Sequence, residues 1–361
     1  METSNPVQTT HGRIEVIDFL RGVAIIEMII VHYPRYYPLL LNKLISYTET
    51  AMPLFLLMSG FMVGYHYFPK FLGDGRRTAR RLLVRALHIL AIQYIIIATV
   101  NLPLYLISHG DIGDNEPLWQ FLLKSAAFMN QIGIIHILPT FIPLFVVSPF
   151  ILFLFKKRLD WVVILSSAAL FTVGNFSPHL LDLGKPAIFP VIVVQIYFVA
   201  GCMWGKSVYR RGGIGLRRPT AWLAASCLAL IGTMTLLHGK IFPGRLVSTH
   251  PLNVFGLIYQ LPIIATIVLI TIRFWKTIQN LELLNRWICL YGRHALLAFV
   301  IHLYWAKAMK VLNTAVALPA ALNYLLILMN IGVGLLVLYR YEKHDRTQPA
   351  LWVKAIDALF K

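Results

Sequence analysis

Beyond Asp18 at its start, the apolar stretch "DFLRGVAIIEMIIVH" from Asp18 to His32 holds three ionisable residues: Arg21, Glu27 and His32. Ionisable groups are costly inside a bilayer, so each marks either function or a fixed pairing. Histidine titrates near neutral pH and can take a proton from a hydroxyl. Arginine grips phosphates and carboxylates through a planar fork. Arg21 and His32 are eleven residues apart, about 20° beyond three full helical turns, so both project from one face, roughly 16 Å apart along the axis. Ile25 and Met28 fall on the same stripe, and Glu27 points elsewhere. Such a face suits a long, thin ligand that is charged at one end and reactive at the other, as acyl-coenzyme A is. The structural alternative is that Arg21 snorkels or pairs with Asp18 and that His32 is an interfacial histidine.

An orienting carboxylate strengthens a histidine base. Glu49, at the outer start of the next apolar run, is the best placed, because loop 34–50 returns it to the level of His32; Asp111 and Asp114 are weaker candidates. His136, His302 and Tyr304 lie toward outer ends of apolar runs and Gln195 lies mid-run, which makes them candidate substrate or tunnel contacts. Capping and packing hydrogen bonds are their structural rivals. Pro139 and Pro143 are expected to break the helix start after His136 and aim it at an outer cavity. The cluster Arg76, Arg77, Arg80, Arg81 and Arg85 is mainly a topology signal, but arginine also binds phosphate bidentately. Arg81 and Arg85, one turn apart, are therefore chosen for the nucleotide phosphates of CoA. Arg293 joins them near the cytoplasmic surface, with Arg217 and Arg218 as runners-up. Ser59 and Gly60 read as a close helix contact.

Positioning these residues is work for membrane helices. The chain has 361 residues, 58% hydrophobic and 13% charged, with a mean hydropathy of +0.69. Soluble domains are nearer half apolar and a quarter charged, which leaves an all-α polytopic membrane protein. Runs able to cross roughly 30 Å of hydrocarbon fall at 17–33, 51–68, 82–107, 137–155, 161–177, 187–205, 219–237, 253–275, 287–308 and 319–340, which predicts about ten spans. Residues 119–135 are expected to form an amphipathic outer interfacial helix or a re-entrant piece. With both termini inside, cytoplasmic segments carry about three times as many Lys and Arg as outer ones. The net charge of +18 is thus a topology signal rather than a nucleic-acid footprint. The expected organisation is a cytoplasmic segment 1–16, a membrane domain 17–340 and a cytoplasmic tail 341–361. Cys202, Cys227 and Cys289 form no disulfide framework or metal motif, no cleavable leader is expected, and no internal repeat is visible.

Several stretches resemble a known family. "RIEVIDFLRGVAIIEMIIVH" (13–32) resembles the opening helix of the membrane acyltransferase 3 superfamily, with its basic residue, ten-residue spacer and histidine. "TETAMPLFLLMSGFMVGYHY" (48–67), "HILPTFIPLFVVSPFILFL" (136–154) and "FPVIVVQIYFVAGCMWGK" (189–206) are similar to the OpgC branch of glucan succinyltransferases, although Val31 and His136 stand where that branch usually carries aspartate. "YGRHALLAFVIHLYW" (291–305) is similar to the glycine-to-histidine helix of the wider superfamily. The resemblance, over roughly residues 13–340, implies acyl transfer across the inner membrane of a bacterium. Succinyl-CoA or acetyl-CoA is the expected co-substrate and a hydroxyl of an extracytoplasmic glycan the acceptor; no permanently bound cofactor or metal is expected.

The rival function is a proton-coupled transporter or flippase, with Arg21, Glu27 and His32 as a proton or substrate path. The missing repeat and the charge stripe of the first helix favour the enzyme. Expected partners are acyl-CoA, the glycan and the lipid bilayer, with no nucleic acid; a homo-oligomer is an open option.

Overall fold

The computed structural model describes residues 14–32, 50–107, 117–126, 137–177, 190–214, 252–316 and 320–344, with isolated positions between 225 and 232 and between 353 and 357. Every longer element among them is a helix. In lipid this follows from the backbone, whose N–H and C=O groups find no water and must be satisfied within the segment. In chain order the longer described helices are α1 (Glu15–Val31), α2 (Ala51–Gly73), α3 (Gly75–Asn101), α4 (Leu118–Ala126), α5 (Ile137–Lys156), α6 (Asp160–Phe176), α7 (Val191–Arg211), α8 (Val254–Arg273), α9 (Glu282–Arg293), α10 (Ala295–Ala315) and α11 (Ala320–Lys343), with six-residue helices at Leu102–Ile107 and Trp275–Asn280.

Six of these, α2, α3, α5, α7, α8 and α11, contain a stretch long and apolar enough to cross a membrane. α1 and α6 have 17 residues each, about one turn short of the roughly 30 Å of hydrocarbon at 1.5 Å per residue. Apolar side chains cover outward faces, among them Phe150, Trp161, Leu165 and Leu328. Surface of that kind belongs against lipid.

Several expected boundaries move. The run 287–308 is not one straight span: it breaks between Arg293 and His294, where α9 and α10 meet at 89°. α2 and α3 run on through π-helical turns at Val63–Tyr67 and Ile97–Asn101. α3 also begins earlier than expected, at Gly75, where the Asp74 carboxylate accepts from the Arg77 amide at 2.9 Å and caps it. Pro139 and Pro143 lie within α5, which begins at Ile137, rather than breaking its start, and Pro149 lies inside it as well. The expected interfacial helix at 119–135 is described as nine residues, Leu118–Ala126, with Trp119, Leu122 and Leu123 exposed. Most of the run 219–237 lies outside the described residues.

The chain divides into two compact units, residues 1–65 with 200–349 and residues 66–199 with 350–361. In the first unit, glycines let backbones meet. A Cβ at Gly22 of α1 would run into the Ile288 carbonyl of α9, and one at Gly292 into the Asp18 carbonyl. Gly201 and Gly205, four apart on α7, likewise abut the Leu57 and Phe61 carbonyls of α2. This small-xxx-small spacing permits close approach where lipid supplies no hydrophobic drive between helices. Tyr291 of α9 donates to the Ile331 carbonyl of α11 at 2.7 Å.

In the second unit, Tyr94 of α3 donates to the Ala126 carbonyl of α4 at 3.1 Å, and Tyr105 stacks on Phe121 with centroids 4.2 Å apart. Phe145 of α5 meets Phe198 edge-on. Gly174 of α6 leaves room for Ile192 and Val193 of α7.

Candidate functional site

α1 runs without a break from Glu15 to Val31, and His32 caps it in helical conformation (φ −75°, ψ −1°). The helical phase linking Arg21, Ile25, Met28 and His32 is therefore kept along the whole stripe. Ile25 and Met28 are buried, while Arg21 and His32 are partly buried.

At the end of that stripe three side chains form a row. His32 Nδ1 lies 2.6 Å from His302 Nε2, and His302 Nδ1 lies 2.9 Å from Asn330 Nδ2. The two imidazole centroids are 4.9 Å apart and their planes differ by 6°. That separation is about the N–N distance plus two ring radii, so the rings lie in one plane and the hydrogen bond runs along it. His302 and Asn330 are each 1% exposed. Buried polar groups of this kind are costly unless bonded. α10 and α11 thus hold a rigid, bonded support behind one nitrogen of His32. The other ring nitrogen, Nε2, is the one His302 does not use.

His302 therefore sits behind His32, with both of its ring nitrogens engaged within the chain. Tyr304, two residues further along α10, projects about 200° away from His302 on a regular helix. Lys307, also on α10, is buried at 5% exposure.

Glu27 has a different task. Its carboxylate accepts from the backbone N–H of Thr50 at 2.9 Å and from the Thr50 hydroxyl at 2.9–3.0 Å. Thr50 is the fully buried N-cap residue of α2, so the acid neutralises orphan donors at the positive end of a helix. Glu27 lies off the Arg21–His32 stripe, as its spacing predicts, and binds α1 to α2. Arg21 itself stands 3.9 Å from Asp18, the structural pairing its neighbourhood suggests.

The remaining arginines divide. Arg293 forms a bidentate pair with Glu342 of α11, at 2.8 and 3.0 Å, and His294 lies 3.5 Å from the same carboxylate. These bonds anchor the bend between α9 and α10. In the second unit, Arg85 lies 5.7 Å from the centre of the Phe145 ring, while Arg81 is exposed with Arg76, Arg77 and Arg80 on the first turns of α3. Gln195 is bonded at both ends to Ser167 of α6: it accepts from the hydroxyl at 2.8 Å and donates to the carbonyl at 2.8 Å. Glu49, His136, Asp111, Asp114, Arg217 and Arg218 lie outside the described residues.

Sequence reasoning missed Asn330, Thr50 and Lys307. Asn330 carried a usable signal, a carboxamide in the middle of "LLILMNIGVG", where a polar group needs a partner. Lys307 stood in plain view near the end of the same apolar run as His302. Thr50 had no signal beyond its place at a helix start.

Repeated long apolar helices with apolar outer faces define a multi-pass membrane protein. The acyltransferase 3 family model, an acyltransferase domain, matches residues 14–339. The chain belongs to this family, and it is a membrane acyltransferase. No curated protein and no solved structure gives a significant match.

Proposed function

We propose that the protein transfers an acyl group, succinyl or acetyl, from cytoplasmic acyl-CoA to a hydroxyl of an extracytoplasmic glycan, with His32 as the general base. The observation that carries this reading is the in-plane bond of His32 to His302 at the end of the helix face that also bears Arg21. A base needs a fixed orientation as well as a suitable pKa.

In the step itself, His32 Nε2 removes the hydroxyl proton as the oxygen attacks the thioester carbon. The carbon–sulfur bond then breaks, and the departing thiolate takes the proton back from Nε2. Alcohol and thioester become ester and free thiol, and the base is regenerated. Arg21 fixes the CoA arm or polarises the thioester carbonyl. The resemblance to the OpgC branch supports succinyl transfer to a periplasmic glucan. The basic excess supports ten spans with both termini inside, in a bacterial inner membrane.

Purified protein incubated with acetyl-CoA or succinyl-CoA tests the reading. Slow release of free CoA, or tight binding of the donor, is the expected result. Movement of a solute with no donor binding and no thiol release would mark a transporter instead.

A further inference from the structure

Asn330, His302 and His32 are bonded in series from α11 through α10 to the end of α1. A neutral imidazole has one N–H and one lone pair, so the state of one end of such a row dictates the other. We propose that Asn330 is a positioning residue whose amide, by the way it is turned, sets through His302 the tautomer of His32. The proposal rests on the acyl-transfer reading with His32 as base.

Two proton patterns satisfy the row. With Nδ2 of Asn330 toward His302, the amide donates to His302 Nδ1, His302 Nε2–H donates to His32 Nδ1, and His32 carries its hydrogen on Nε2. In that pattern His32 can donate to an oxyanion but cannot take a proton. A half-turn of the amide puts Oδ1 toward His302. His302 then donates from Nδ1, accepts at Nε2 from His32 Nδ1–H, and leaves a lone pair on His32 Nε2. Only this second pattern makes His32 a base toward a hydroxyl. A carboxamide can end the row either way within one shape, whereas a carboxylate ends it only as an acceptor and an apolar side chain ends it in neither way. Burial of His302 and Asn330 keeps the row from exchanging these partners for bulk water. Among the described residues, the charged groups on these helices include Lys307 on α10, which is buried, and Glu27 on α1, which is held by Thr50.

The test is thiol release from acetyl-CoA and succinyl-CoA, measured against pH for purified Asn330→Leu, Asn330→Asp and His32→Ala, with thermal unfolding as the check on folding. Asn330→Leu should lower kcat about tenfold to a hundredfold and leave KM for the donor unchanged. Asn330→Asp should recover most of the lost rate at high pH, because an ionised acceptor enforces the base pattern. Its acid limb should move to higher pH, since an added anion favours the protonated imidazole. A packing role predicts the opposite ranking, with the buried charge at least as harmful as leucine and no movement of the limb; that result overturns the proposal. So does a folded Asn330→Leu protein with parental kcat. If the leucine variant does not fold, Asn330→Ala is held to the same limits. Activity in His32→Ala would instead sink the base reading on which the proposal stands, so the two failures are distinguishable.

Discussion

His302 Nε2 stands 2.6 Å from His32 Nδ1 in the plane of both rings, joining residues 270 positions apart in the chain. This bond gives the histidine at the end of α1 a fixed direction. His302→Ala should therefore lower kcat about tenfold to a hundredfold while donor KM stays near the parental value. His302→Gln, which can still bond His32, should lose less. Steady-state kinetics on the two purified variants checks the ranking, and equal loss in both would point to packing alone.

Arg21 lies one helix face away from Glu27 and on the stripe that ends in His32, with Asp18 3.9 Å from its guanidinium. Arg21→Ala should cost a hundredfold or more in transfer, the scale set by loss of one preorganised electrostatic contact. Arg21→Lys should recover little, because the planar fork is lost. Near-parental transfer by well-expressed Arg21→Ala would leave the arginine as a structural partner of Asp18.

The Glu27–Thr50 clamp makes a stability prediction. Three donor–acceptor contacts converge on one carboxylate at a buried helix start. Glu27→Ala leaves the Thr50 donors without that acceptor and should cost about 1–3 kcal/mol, read as a lower Tm in detergent. Glu27→Gln, which keeps an acceptor oxygen, should lie between the two. If Glu27→Ala unfolds at the parental temperature, the clamp contributes nothing.

Gly201 and Gly205 admit no side chain without moving the α2 backbone. Gly205→Leu should reduce the yield of folded protein sharply, because overpacking at a backbone contact has no flexible neighbour to absorb it. Size-exclusion profiles of parent and variant decide this.

Much of the helical framework was legible, because lipid imposes long apolar runs that composition reveals directly. The opening helix was legible in more detail: its period placed Arg21 and His32 on one face and Glu27 off it. What hydropathy could not register was the 89° break at Arg293–His294, since a bend leaves no mark on apolar content. That bend is held by Glu342, a residue at the far end of the chain. The same limit hid the partners of Glu27 and His302, which are pairings between distant segments. His302 was visible as a polar residue inside an apolar run, yet its place behind His32 depends on how α1, α10 and α11 come together. Gln195 shows the reverse case, a mid-span amide whose two bonds to Ser167 match the packing alternative.

The most direct test of the account is the rate of acyl transfer against pH for parent and His32→Ala, using membrane vesicles, radiolabelled acyl-CoA and the label recovered in glycan. The neutral imidazole is the active form, so parental activity should be full at high pH and fall as pH drops far enough to protonate His32. His32→Ala should still bind acyl-CoA, while its transfer falls about a hundredfold to ten-thousandfold. A His32→Ala protein that labels glycan at a rate close to the parent, with the same pH profile, would contradict the assignment of His32 as the base.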